Sequence, residues 1–182
     1  MADRTAEGSH RDRQEWQRAP HLPVGEEEQT ALSYSLDIAT TLPPEQVARR
    51  LPALPGDPEV TPGQLLEGVA VGEGTWVRVG RTEPRPWNVV ESDLGFAPTV
   101  WVAFRLDKEN DTARQLDDVV RRTVALLDEV PGDAVLHFDY EVVWLLRRDG
   151  ELSLNERDDI WTPTRLAAVG NRPHRRGTPK FA

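Results

Sequence analysis

A chain of 182 residues with a formal charge of −9 at pH 7 is long enough for one domain of ordinary size, and its acidic balance disfavours a nucleic-acid backbone as partner. It contains no cysteine, which excludes disulfides, thiolate metal sites and a cysteine nucleophile. The charge is uneven, with a net −3 over residues 1–30, −10 over 31–170 and +4 over 171–182.

Residues 1–30 hold only Trp16, Leu22 and Val24 as sizeable apolar groups among charges, prolines and glycines. Such a stretch buries too little surface to offset its ordering entropy, and it reads as a disordered or loosely attached segment. It has no apolar stretch of the kind a secretory signal needs, and no run in the chain nears the roughly 20 apolar residues that span a bilayer. The expectation is a cytoplasmic protein without membrane insertion.

The domain is expected over 31–170. Leu32, Tyr34, Leu36 and Ile38 alternate with smaller or polar residues as on a half-buried strand. Thr41-Leu42-Pro43-Pro44 then predicts a helix capped near Thr41 or Leu42, with proline in the first turn. Leu65–Val71 and Thr75–Val79 give two weak strand signals broken by Gly72 and Gly74, and Thr82–Asn88 reads as loop. In Thr99–Leu106, Val100, Val102, Phe104 and Leu106 share one face of a strand while Trp101, Ala103 and Arg105 share the other.

A long helix follows, capped by Asp111 or Thr112, with Thr112 and Gln115 matching a capping box. Leu116, Val119, Val120, Thr123, Val124, Leu127 and Val130 form its apolar stripe, and Pro131-Gly132 stops it. The chain then reads as strands around a turn at Phe138–Glu141 and a hairpin at Asp149-Gly150, where both central residues need positive φ. Val142–Leu146 is apolar on both faces, so something must cover each side of that strand. A helical turn over Thr162–Ala168 follows Trp161, and residues 171–182 read as a flexible basic tail. These elements predict a two-layer α+β domain: a mostly antiparallel sheet of five to six strands, two main helices and a split β-α-β-like kernel.

Chemistry-bearing patterns are sparse. His137, Asp139 and Glu141 stand two residues apart and would share a face if their strand were continuous, which leaves open a small metal-dependent or acid-base hydrolase. A turn through Phe138–Glu141 would scatter them. There is no glycine-rich phosphate loop, no GxSxG elbow and no HExxH, and no cofactor is expected. Trp76, Trp87 and Trp161 fall in or beside loops, where tryptophan can anchor an interface, and Asp117, Asp118, Asp158 and Asp159 offer acidic groups to a basic partner.

The segments LSYSLDIATTLPPEQVARRL (32–51), GFAPTVWVAFRLDKE (95–109) and PGDAVLHFDYEVVWLLRRDGELSLNERDDIWTPTRLA (131–167) together resemble the Sit-type immunity proteins, protectors against swarm-inhibition toxins. The most specific pieces are PTVWVAFRLDK and EVVWLLRRDGEL followed by WTP. The resemblance implies a non-enzymatic inhibitor that binds one cognate toxin domain inside the producing cell. Beside it stand the hydrolase built on His137, Asp139 and Glu141, and a protein-interaction module with no toxin partner.

Overall fold

A computed structural model describes residues 32–182 of the protein, so the segment 1–30 discussed above lies outside the described residues. The elements are β1 Leu32–Ala39, α1 Pro44–Arg50, α2 Pro62–Glu67, β2 Val69–Val71, β3 Thr75–Arg81, α3 Val89–Leu94, β4 Val100–Leu106, α4 Thr112–Glu129, β5 Asp133–Phe138, β6 Val142–Arg148, β7 Glu151–Asn155, α5 Pro163–Val169 and β8 His174–Gly177. The fold is α+β, but with eight strands and five helices among the described residues rather than five to six strands and two main helices. The additional elements are short ones that caps and backbone pairing carry, not long apolar patterns.

The helix starts show this chemistry. Proline at the first or second position and a non-helical Pro43 begin α1, with no side-chain cap from Thr41 or Leu42. Thr61 and Gln64 form a reciprocal capping box that turns Pro62–Glu67 into α2, which takes Leu65–Glu67 from the strand signal at Leu65–Val71 and leaves Val69–Val71 as β2. The Asn88 side chain accepts the N–H groups of Val90 and Glu91 to start α3, and Gly95, at φ 76°, ends it in the left-handed conformation. Asp111 alone caps α4, accepting from Ala113 and Arg114. Gln115 does not close a box with Thr112. Its side chain is buried, accepting from Thr75 Oγ1 and Asp107 N and donating to the carbonyl of Asp107.

One open sheet holds the strands in the order β2-β3-β4-β1-β5-β6-β7-β8, antiparallel throughout except for the final β7–β8 pair. Since β4 and β5 both run antiparallel to β1 between them, they are parallel to each other, and α4 joins them in a split β-α-β crossover. The last strand lies within 171–182 and is polar; its backbone pairs with Leu152–Asn155.

Alternation along the strands sorts side chains to two faces. On the first, Leu36, Ile38, Val77, Val102, Phe104 and Leu136 pack with Val47, Val120, Val124 and Val169 of the helices in the main core. On the second, Val135 and Val143 pack with Val90 and Phe96 in a smaller core that includes Leu94, Leu146 and Phe181. This second core supplies the cover that the doubly apolar Val142–Leu146 required.

The same strand carries an irregularity. His137 opposes Val143 while Leu136 opposes Leu145, which leaves Trp144 as an extra residue in the ladder. Trp144 and Leu145 consequently both join the main core, while Val143 and Leu146 face the smaller one.

Candidate functional site

The second face of the sheet is only partly covered, and beside α3 it opens into a groove of about 630 Å³. Ser35 and Asp37 of β1 and Trp101 of β4 line its floor; Arg81, Glu83, Arg85 and Trp87 come from the end of β3 and the connection to α3; Val89 and Tyr140 close the sides. Prolines at 84 and 86 stiffen that connection and place Trp87 outside the core. Trp87 is 75% exposed, and Val89 and Tyr140 are also large exposed apolar groups.

Beneath the groove, His137 and Asp37 form a buried pair, with Nε2 of the histidine 2.8 Å from Oδ2 of the aspartate. Nδ1 accepts the backbone N–H of Tyr140 at 3.1 Å, so Nε2 carries the proton and donates it to Asp37. The turn that supplies this N–H places Asp139 and Tyr140 at φ 45° and 56°. Tyr140 stacks on the imidazole at 4.2 Å between centroids, and Phe181 meets it edge-on at 5.4 Å. Partial burial of the half-exposed Tyr140, reinforced by the carboxylates of Asp37 and Asp139 against the opposing effect of Arg85, shifts its hydroxyl upward from the usual phenol value.

With both ring nitrogens engaged, His137 has none free to take a proton from Ser35 or from a substrate in the groove. The turn also leaves Asp139 and Glu141 exposed while His137 is buried, so the three do not form a cluster. No group of three His, Cys, Asp or Glu side chains among the described residues is arranged to hold a metal ion.

The other residues singled out in the sequence are dispersed. Trp161 is 2% exposed and belongs to the main core. Trp76 is half-buried on the second face of β3. Asp117 accepts from Arg165 Nε at 2.8 Å, and that guanidinium also lies over the Trp144 ring, so the pair pins α5 to α4. Asp118 pairs with Arg121 at 2.9 Å. Asp158 lies 3.3 Å from Arg176, and Asp159 lies 2.6 Å from Arg157, whose hydrogen bond holds its carboxyl below the usual range. Each of the four carboxylates is therefore matched by an arginine of the same chain.

Only Trp87 of these candidates stands at the groove. Its neighbours Trp101, Val89 and Tyr140, and the arginines Arg78, Arg81, Arg85 and Arg105 on or beside this face, were not singled out as binding residues. One signal was available: Trp101, Ala103 and Arg105 share the side of β4 opposite its apolar row.

No helix among the described residues is long and apolar enough to cross a membrane. No curated protein and no solved structure matches the chain. The SitI3-like family matches it over residues 32–165, from the first residue of β1 into α5, and includes every strand that builds the groove. The chain belongs to the SitI3-like family of Sit-type immunity proteins.

Proposed function

We propose that the protein is a non-enzymatic immunity protein that binds a cognate bacterial polymorphic toxin domain inside the producing cell and neutralises it by steric occlusion. The observation that carries this reading is Trp87, 75% exposed at the rim of the groove in a member of an immunity family. A large aromatic side chain held out by a stiff proline-flanked loop loses little conformational freedom on binding and can bury a large apolar area. Val89 and Tyr140 extend the apolar surface around it.

A hydrolase reading is disfavoured by the engagement of both nitrogens of His137 and by the exposure of Asp139 and Glu141 away from it. The acidic candidates Asp117, Asp118, Asp158 and Asp159 suit partner binding less well than the groove, because internal arginines already neutralise them. No cofactor enters this mechanism.

The test is co-expression with the toxin domain encoded beside the gene. The expected outcome is restored growth and a stable complex on size exclusion. A toxin that kills equally with and without this protein would refute the reading.

A further inference from the structure

Two tryptophans on the second face of the sheet lie against glycines. A Cβ at Gly80 would stand 2.3 Å from Cζ2 of Trp101, and one at Gly68 would stand 2.1 Å from Cζ2 of Trp76, so each ring occupies space any other residue would fill. Each ring also carries a guanidinium: Arg78 lies 5.8 Å from the centroid of Trp101, and Arg105 lies 5.4 Å from that of Trp76. Arg78 Nε donates to the carbonyl of Leu66 at 3.1 Å, which fixes that guanidinium without giving it a carboxylate. Glycine, tryptophan and arginine thus build a rigid cationic platform that continues through Trp101 and Arg81 into the groove.

Exposed arginines without an acidic partner among the described residues gather at this face. The chain is acidic, and elsewhere Arg121, Arg122, Arg157, Arg165, Arg172 and Arg176 are each paired with an aspartate. Among the described residues, Arg78, Arg81 and Arg85 form no ion pair, and all three are exposed. Exposed guanidinium groups that an acidic chain leaves unneutralised, held beside tryptophan, match a carboxylate-bearing partner in both geometry and charge.

We infer that this face is a docking surface for an acidic segment of the partner protein, which sets carboxylates against Arg78, Arg81 and Arg85 and an apolar side chain beside Trp87. The inference rests on the toxin-binding reading above and adds the chemistry of the toxin's contacting surface. A single-stranded nucleic acid is the poorer occupant. The rings of Trp76 and Trp101 are already engaged by glycine and guanidinium rather than open for base stacking.

The test titrates the full chain by calorimetry against the toxin domain encoded beside its gene, at low and high salt. The variants are Arg78→Glu, Arg78→Gln, the pair Arg81→Glu and Arg85→Glu, and the control pair Asp158→Lys and Asp159→Lys, each checked for folding by circular dichroism. Binding weakened on the order of tenfold or more by the arginine reversals, less by Arg78→Gln, and further weakened by salt is the expected result, with the control pair near wild type. The loop pair Arg81 and Arg85 keeps the test decisive if position 78 proves essential for folding. Arginine reversals that leave affinity unchanged or raise it overturn the inference while the toxin-binding reading stands. Absence of any complex overturns both, and a fluorescent oligothymidine bound more tightly than the toxin domain overturns the acidic-segment assignment.

Discussion

Arg122 of α4 reaches both carboxylate oxygens of Asp57, at 2.6 and 2.8 Å, in a pair whose side chains are only 4% and 5% exposed. The same guanidinium donates to the carbonyl of Pro52 at 2.7 Å, and Asp57 accepts the N–H of Leu54 at 2.6 Å. One arginine thereby fastens the proline-rich connection after α1 to the longest helix. Replacing Arg122 with alanine strands a buried carboxylate and should cost about 3–5 kcal/mol, read as a lower urea midpoint. A loss within the ±0.5 kcal/mol typical of surface sites would show that the pair contributes little.

Acid should weaken the same connection. Burial acts to raise the Asp57 carboxyl, but the hydrogen bonds from Arg122 and from the N–H groups of Leu54 and Gly72 outweigh it and hold the group below its ordinary value. Because the folded value lies below the unfolded one, the stabilisation is complete above the unfolded value of about 4 and is lost as pH falls through the folded value. Asp57→Asn should therefore be clearly less stable than wild type at neutral pH, with the gap closing below about pH 4. A gap that stays constant through that range argues against the linkage.

Gly80 makes room for Trp101. Gly80→Ala should cost about 1–3 kcal/mol, as overpacking does, and shift the tryptophan fluorescence, whereas adding the same change to Trp101→Ala should cost much less. Strict additivity of the two substitutions would contradict the contact.

At the start of α4 the cap is Asp111, not the neighbouring threonine. Asp111→Ala should lower stability by about 1 kcal/mol while Thr112→Ala stays near wild type in thermal melts. The reverse order would mean that Thr112 closes the helix.

Trp87 separates binding from folding. At 75% exposure, its replacement by alanine should change stability by no more than about 0.5 kcal/mol. The same change should weaken the toxin complex by about 2 kcal/mol or more, measured as Kd in the calorimeter. Unaltered affinity would remove Trp87 from the interface.

Long periodic stretches made much of this architecture legible. The two-residue alternation from Leu32 and from Val100, the three-and-four spacing from Leu116, and the Asp149-Gly150 hairpin each correspond to an element of the structure. The short helices α2 and α3 are too brief for a periodic signal, although Thr61-Pro62 with Gln64 and the Asn88 to Gly95 frame carried their capping chemistry. The strand β8, reading His-Arg-Arg-Gly, has no apolar alternation and exists through backbone pairing and arginine contacts to Ser153 and Asn155.

The groove was less visible because it is assembled across the chain. His137 meets Asp37 from a hundred residues away, and Gly80 receives a ring from Trp101 on the adjacent strand. Local spacing shows that these residue types are present but not which of them meet. Trp161 illustrates the converse: its place beside a loop leaves both a core and an interface role open, and tertiary packing buries it.

The extra residue at Trp144 leaves the rest of its strand undisturbed. A relative lacking it would run a straight ladder, with Val142 and Leu145 still inside one layer and Val143 and Leu146 inside the other. It would forgo only the ring against which Tyr34 stands edge-on at 5.0 Å and the Arg165 guanidinium rests at 5.3 Å. The inserted indole is thus a removable shim: it tightens the seat of α5 and adds local twist, while the pairing partners on either side of it keep their places.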